Sequence, residues 1–540
     1  MLRDVTVRAA RRIDDIIPVL NFAEREARSG SHVAVMLSYE AAPAFDPAFI
    51  THAPSDFPLA WAAVLEQPHD KEPQSYSSTA WTPHVSRDEY DRSVSRIREL
   101  IAAGDTYQVN YSFPLTSSFN GDAFAWFRDL CVAQGAQYSV YLDLGRYQVL
   151  CLSPELFFER RGNHVITRPM KGTVRRGRWP AEDLELAQWL KHSAKDRAEN
   201  VMIVDLLRND LGKVSVPGSV RVSSLFDLER FETVWQMTST VESTLQDGTT
   251  LVDLMRASFP CGSITGAPKI RTMQIIRELE RFPRGLYTGA IGLLRPGGDC
   301  VFNVAIRTVV IDTESGVATF GVGGGVTIDS TADREYEECL VKSRFLRSTA
   351  REFQLFESIL VEDGTYFLLA EHLQRLKDSA GYFGFTFSGT RINADLERIA
   401  IENPRGSLKV RLTLWKDGRV ETQVTELSDI KDVELATEPV DSSDRFLFHK
   451  TTRRPGRDGL VFWNERGEVT ESSIANIVVP IDGELFTPPI ECGLLPGVFR
   501  NHLLAEGKIK ERVITIEEFQ DAPEFFLINS VRKWIRVSRG

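Results

Sequence analysis

Gly262-Ser263-Ile264-Thr265-Gly266-Ala267-Pro268-Lys269 is the stretch on which the reading of the fold turns. Alone, a Gly-rich run is a turn, because glycine supplies backbone conformations that other residues avoid. It does not stand alone. Upstream lie Gly104-Asp105-Thr106-Tyr107-Gln108-Val109-Asn110, Ser153-Pro154-Glu155-Leu156-Phe157 and Arg168-Pro169-Met170-Lys171-Gly172-Thr173. Lys195-Asp196-Arg197-Ala198-Glu199-Asn200 follows, running into Asp205-Leu206-Leu207-Arg208-Asn209-Asp210. Downstream come Asn303-Val304-Ala305-Ile306-Arg307-Thr308, Gly321-Val322-Gly323-Gly324-Gly325 and Glu335-Tyr336-Glu337-Glu338.

The intervening chain sets these strings on strands and helices. Apolar residues alternate in Tyr138–Leu144, Tyr147–Leu152 and Leu156–Arg160, the period of antiparallel strands. Tyr287–Val326 is strand-rich with Gly-bearing turns. Ile13–Ala27, Arg87–Ala102, Ala181–Leu211 and Ser330–Phe353 carry helical spacing, and His32–Tyr39 reads as a strand. Phe57–His84, rich in Pro and polar residues, is expected to be loop.

The chain has 540 residues, more than one domain at roughly 100–200 residues each. Hydrophobic residues make up 42% and charged residues 26%, the balance of a soluble globular protein. A net charge of -11 disfavours nucleic acid and anionic membrane surfaces as partners. Six cysteines, none in a CxxC pair, suggest neither zinc nor a disulfide framework. The N-terminus lacks the apolar core of a signal peptide, and no run approaches the roughly 18 apolar residues of a membrane span. The expectation is a reduced cytoplasmic protein.

Taken together and in order, the strings from Gly104 to Glu338 resemble the chorismate-utilising family, which includes the anthranilate, aminodeoxychorismate, isochorismate and salicylate synthases. The resemblance implies a site for chorismate and Mg²⁺. Glu199 and Glu338 match the family's metal-ligating glutamates. Asp196 and Glu335 sit one turn earlier on the same helix faces, as outer or water-mediated ligands. Arg307, with Tyr287, Lys342, Thr265 and the backbone at Gly323 and Gly324, would hold the substrate, Arg307 taking a carboxylate.

Two positions separate members of that family. Gln108 stands where isochorismate and salicylate synthases carry a lysine base, and an amide takes no proton near neutral pH, so water addition is disfavoured. Lys171 stands in a Pro-Met-Lys-Gly-Thr string where aminodeoxychorismate synthases carry lysine and anthranilate synthases a small residue. A lysine amine is a nucleophile once burial or nearby cations hold it neutral. By resemblance, Lys171 attacks ring carbon 2 while the 4-hydroxyl leaves, with Glu155 as general acid, and ammonia then adds at carbon 4. Gln236 falls where anthranilate synthases place a histidine linked to pyruvate elimination. No glutaminase unit is visible, so ammonia from a separate glutamine amidotransferase subunit is the implied nitrogen source.

From Phe353 onward the strings change. They are Phe356-Glu357-Ser358, Glu371-His372-Leu373-Gln374-Arg375, His449-Lys450-Thr451-Thr452, Val469-Thr470-Glu471-Ser472, Leu495-Pro496-Gly497-Val498 and Asn529-Ser530-Val531-Arg532. They resemble the fold-type IV pyridoxal-phosphate enzymes: branched-chain and D-amino-acid aminotransferases and aminodeoxychorismate lyases. The resemblance assigns Lys450 as the Schiff-base lysine and Glu471 as the partner of the pyridinium nitrogen. Arg375, Gly497, Val498 and Ser530 are assigned to the phosphate. His372 is expected to orient its helix, and His449 is left open. Lyase and aminotransferase share these residues; the neighbouring synthase favours the lyase.

The expected architecture is α/β (α+β), a large two-sheet sandwich followed by a two-subdomain fold-type IV unit. Its parts are 1–85 as the N-terminal part of the synthase, 86–348 as the chorismate-binding domain and 353–540 as the lyase-like domain, with a short join inside 345–354. The expected activity is synthesis of 4-aminobenzoate from chorismate, and a homodimer through the second unit is compatible with that reading. An anthranilate synthase fused to an aminotransferase-like unit is the alternative. A third reading makes one half an inactive scaffold for a glutaminase.

Overall fold

The computed structural model describes residues 2–68, 74–347, 352–427, 433–456 and 459–538. It divides into two compact units. The first is Met1–Arg175 with Ala187–Ala350, and the second is Arg176–Leu186 with Arg351–Gly540. A short segment inside the 86–348 block therefore packs as part of the second unit.

The first unit holds two large antiparallel sheets. Among the described residues, ten strands form one, running from Leu2–Ala10 through Ala60–Pro68, His32–Leu37, Ala290–Leu294, Cys300–Val304 and Leu156–Arg161 to Met170–Arg175. Eight form the other, in which Gln108–Gly121 pairs with Val317–Val326, followed by Thr308–Asp312, Tyr147–Ser153 and Tyr138–Asp143. The strand His32–Leu37 shows how the layers arise. Val33, Val35 and Leu37 join the core under helices Ile16–Arg28 and Leu251–Ser258. Ala34 and Met36, on the opposite face, join Trp61, Leu142, Tyr147 and Val149 between the two sheets. Successive side chains point to opposite faces, so a strand buried on both reads as an unbroken apolar run. Helices Arg87–Ala102, Ala123–Gln134 and Lys269–Leu279 cover the outer face of the second sheet.

Three readings change. Residues 57–84, expected as loop, contain strands Ala60–Pro68, Tyr76–Ser78 and Thr82–Pro83, while 69–73 lie outside the described residues. Burial of Ala60, Trp61, Ala62 and Ala63 between neighbouring strands outweighs the local Pro-rich composition. The single helix expected over Ala181–Leu211 is two, Pro180–His192 and Ala194–Gly212, separated by Ser193. Ser193 is extended, and its side chain caps the second helix by accepting from Asp196 N. The helix expected over Ser330–Phe353 spans Ala332–Ser343 and a 3-10 turn Arg344–Arg347. The expected join falls partly on 348–351, outside the described residues.

The second unit has a four-stranded sheet, Thr365–Tyr366, Leu355–Glu362, Ser407–Leu414 and Val420–Glu426. Asp363-Gly364 turns the hairpin between the first two of these strands, both residues at positive φ. Helices Leu369–Phe383 and Gly389–Glu402 pack on this sheet. A larger sheet, centred on Val469–Ser472 and Asn476–Ile481, forms the other subdomain. Lys450 lies at their meeting point. It follows the 3-10 turn Arg445–Phe448, its carbonyl accepts from Phe356 N at 3.0 Å, and Thr451 bridges Leu355.

Candidate active sites

Lys171 is on strand Met170–Arg175. Its carbonyl accepts from Asn200 Nδ2 at 3.2 Å, and Asn200 Oδ1 accepts from Ser239 Oγ at 2.6 Å. Helix Ala194–Gly212 and strand Val234–Thr244 thus fix the backbone that carries the amine. Lys171 Nζ is 3.3 Å from Glu199 Oε2, and Lys195 Nζ is 3.8 Å from Oε1 of the same glutamate. A Cβ on Gly325 would stand 2.8 Å from Lys171 Nζ and 2.7 Å from Gln108 Nε2. The missing side chain at 325 keeps that space open.

Gln108 is fully buried, and neither amide atom has a hydrogen-bond partner among the described residues. A buried polar group left unpaired costs about 1–3 kcal/mol, so an amide orphaned at both atoms marks a place where a polar ligand belongs.

Glu155 is also buried, and Ser263 Oγ donates to its Oε1 at 2.6 Å. Burial pushes its carboxyl up to about 7, against the opposing pull of Ser263, the Met170 backbone and the Lys171 charge. Near neutral pH it holds a proton in reserve, as a general acid requires.

The other expected residues gather around helix Ala332–Ser343. Lys342 Nζ is 2.8 Å from Glu338 Oε1 and donates to Gly323 O at 2.8 Å. Lys342 holds the Glu338 carboxyl below its usual range. Glu335 accepts from Ser330 Oγ at 2.7 Å, and burial together with the like charge of Glu338 raises it. A Cβ on Gly324 would come within 3.1 Å of Glu335 Oε2. Arg307 donates to Lys342 O at 2.8 Å and sits at φ 52°, a strained conformation for a non-glycine residue. Burial brings its guanidinium down to about 10, so an incoming carboxylate would be held strongly. Burial likewise raises the Tyr287 phenol. Tyr287 also lines a cavity of about 410 Å³ with Phe57, Phe113, Phe282 and Thr319.

Two expected residues are otherwise engaged. The Thr265 hydroxyl bonds back to Cys261 O and Gly262 O at 3.2 and 3.4 Å, stabilising its own turn. Asp196 hydrogen-bonds Ser193 Oγ and closes the helix cap. Among the described residues, no three acidic, His or Cys side chains are grouped closely enough to hold a metal by themselves. Mg²⁺ takes one or two carboxylates and completes its shell with water and substrate. Glu199 and Glu338 fit that demand, and a cation would relieve the like-charge strain between Glu335 and Glu338.

In the second unit, Lys450 Nζ lies 5.5 Å from the centre of the Phe356 ring. Burial, reinforced by Arg375, Arg454 and Arg411, brings its amine down to about 8. Glu471 is buried, its carboxylate held by Arg454, by Leu495 N at 3.0 Å and by Asn476 Nδ2 at 3.2 Å. Gly497 caps helix Val498–Ala505, and a Cβ there would strike Asn476 Oδ1 at 2.0 Å. Arg375 has a protein partner of its own. Its guanidinium is bidentate to buried Glu357 at 2.8 and 2.7 Å, and only Nη1 reaches toward the phosphate turn, 3.2 Å from Pro496 O. His372 completes that buried pair at 2.7 Å from Glu357. Ser530 is buried in the turn where Val531 N and Arg532 N donate to Asn529 Oδ1. These residues fit pyridoxal phosphate: a depressed amine, a buried carboxylate, nearby arginines and a helix N-terminus suited to an anion.

Sequence reasoning missed Arg454, Glu357 and Ser263 as partners. Arg454 lies in a non-helical turn after Lys450 and carried no local signal. Glu357 and Ser263 stood inside strings already singled out, without a role.

The chain belongs to the chorismate binding enzyme family, which it matches over residues 51–348. Residues 354–439 and 440–539 match amino-transferase class IV, so a class IV domain follows the chorismate-binding one. Aminodeoxychorismate synthase component 1 of Bacillus subtilis (strain 168) is 40% identical over 289 residues, 54% of this chain and 61% of that protein. Anthranilate synthase component 1 of Streptomyces coelicolor is 40% identical over 280 residues, 52% of this chain and 54% of its own. The chain spans about three fifths of the length of the aminodeoxychorismate synthase components it matches. Anthranilate synthase component I from Streptococcus pneumoniae TIGR4 superposes with a TM-score of 0.54 at 26% identity, covering 61% of this chain and 85% of that one. Among the described residues no helix is long and apolar enough to cross a membrane.

Proposed function

We propose that the chain makes 4-aminobenzoate from chorismate in two reactions, an aminodeoxychorismate synthase step in the first unit and a pyruvate-releasing lyase step in the second. The observation that carries the reading is Lys171: its amine stands beside Glu199 and faces the space kept open by Gly325. Neighbours named aminodeoxychorismate synthase support the same choice within the family.

Arg307, with Tyr287 beside it, takes one chorismate carboxylate. Glu199 and Glu338 would hold Mg²⁺, which supplies charge for the other, with Glu335 behind them. Lys171 Nζ bonds to ring carbon 2, the two ring double bonds each move one place along the ring toward carbon 4, and the bond from carbon 4 to the hydroxyl breaks. Glu155 gives its proton to that hydroxyl, which leaves as water. Ammonia then bonds to carbon 4, both double bonds return to their first positions, and Lys171 departs as a neutral amine. The proton shed by the new amino group restores Glu155. The ammonia comes from a separate glutamine amidotransferase subunit.

In the second unit, pyridoxal phosphate when bound supplies the electron sink for elimination. Lys450 would bind it and carry protons at its amine. Glu471, fixed by Arg454, would face the ring nitrogen. The Gly497–Val498 helix terminus would meet the phosphate, with Arg375 and Ser530 around it. The six cysteines, all unpaired, fit a reduced cytoplasmic setting.

The test is Lys171→Ala assayed with chorismate, Mg²⁺ and ammonium. Loss of aminodeoxychorismate formation, with the wild type gaining a substrate-derived mass on the Lys171 peptide, is expected. Full activity in the variant would end the assignment.

A further inference from the structure

Residues 176–186 have no part in either reaction as described, yet they pack within the second unit. Arg176 and Asp183 form a bidentate ion pair at 2.7 and 2.8 Å, their side chains 4% and 9% exposed. Gly177 closes the loop so tightly that a Cβ there would lie 2.0 Å from Asp183 N. The loop grips what lies beneath it. Tyr382 Oη donates to Gly177 O at 2.6 Å, and the Arg176 guanidinium stacks 4.3 Å from the Tyr382 ring. Trp179 packs on Phe448, centroids 5.1 Å apart, and Arg178 donates to Ser442 O at 3.3 Å while covering the same Phe448 ring.

Phe448 is two residues before Lys450. The residue between, His449, is buried, hydrogen-bonded to Ser379 at 2.9 Å, tilted against the Tyr382 ring at 4.4 Å and edge-on to Phe383 at 4.8 Å. Phe448 is therefore held by the 176–183 loop directly and His449 through Tyr382, which the loop grips, while Lys450 O is tied on the other side to Phe356 N. A side chain is placed only as well as the backbone and packing that support it.

We propose that the Arg176–Asp183 loop is a positioning clamp for Lys450, so that the cofactor lysine is set by a segment following Lys171 by a few residues in sequence. The proposal rests on the reading of Lys450 as the cofactor lysine. Because the second unit then needs residues 176–186, the proposal is tested in the full chain. Trp179→Ala and the milder Arg178→Ala remove the grip on Phe448, and Trp179→Phe keeps an aromatic face there. Pyridoxal phosphate is titrated into each, following the absorbance of the bound cofactor and its change with pH. The expected result is at least tenfold weaker binding and a displaced titration midpoint for Trp179→Ala. A smaller change in the same direction is expected for Arg178→Ala, and recovery to within about twofold for Trp179→Phe. Aminodeoxychorismate formation without the cofactor stays at the wild-type rate. Unchanged affinity and midpoint in both alanine variants would overturn the clamp. So would equal damage in Trp179→Ala and Trp179→Phe, which marks bulk packing alone. Lys450→Ala separates the two ideas: if it binds pyridoxal phosphate as the wild type does, the lysine assignment falls, and the clamp with it.

Discussion

Glu199 Oε2 lies 3.3 Å from Lys171 Nζ, so the carboxylate assigned to the metal and the amine assigned to the substrate are in direct contact. Glu199→Gln keeps the shape and removes the charge. It should raise the Mg²⁺ concentration needed for half-maximal synthase activity and lower the rate by about 10²-fold, since ligand and nucleophile position are lost together. The lyase reaction, assayed on supplied aminodeoxychorismate, should be unaffected.

Gly325→Ala tests the open space directly. Gly325 is not at positive φ, so the backbone tolerates alanine, but the added methyl falls 2.8 Å from Lys171 Nζ and 2.7 Å from Gln108 Nε2. We expect a folded protein with its thermal transition within a few degrees of wild type and synthase activity reduced about 10²-fold or more. A near-normal rate would mean that the reacting atoms lie elsewhere.

Glu155 must be protonated to act as the acid, and burial sets its carboxyl at about 7. The synthase rate should therefore fall as pH rises through about 7. Ser263 stabilises the charged form, so Ser263→Ala should move that midpoint upward. A pH–rate profile of both proteins decides it; a downward move would contradict the acid role.

An amine bonds to an aldehyde only when neutral, and the Lys450 amine is brought down to about 8 by burial and three nearby arginines. The rate of pyridoxal phosphate uptake should rise with pH through about 8. Arg454→Met removes one cation, so the midpoint should shift upward. It also frees Glu471 from its partner and should weaken cofactor binding. Stopped-flow absorbance measures both effects.

Glu357 is paired with Arg375 and His372 in the core of the second unit. Glu357→Gln leaves Arg375 without its countercharge and should cost about 3–5 kcal/mol in the unfolding of that unit. Denaturant unfolding followed in the full chain would show it as a lower midpoint for one transition, with the synthase activity of the first unit retained.

The residues proposed for catalysis and cofactor binding could be named from the sequence because their strings are local: Lys171, Glu155, Lys450 and Glu471 each stand inside a short recognisable pattern. What surrounds them was less so. Asp196 has the spacing of a ligand, but Ser193 three residues earlier offers it a cap, and only the broken helix reveals which partner it takes. Arg375 lies 18 residues from Glu357, and only folding shows that its fork is already occupied. Strand Ala60–Pro68 was hidden by flanking prolines and polar residues, since its pairing is with strands far away in sequence. The allegiance of residues 176–186 to the second unit rests on contacts with Tyr382 and Phe448, which no local pattern announces.

The most direct test of two linked reactions in one chain is incubation with chorismate, ammonium and Mg²⁺, with and without pyridoxal phosphate, followed by product identification. Aminodeoxychorismate should accumulate without the cofactor, and 4-aminobenzoate with pyruvate should form with it. Formation of 2-aminobenzoate, or a product mixture indifferent to pyridoxal phosphate, would contradict the account.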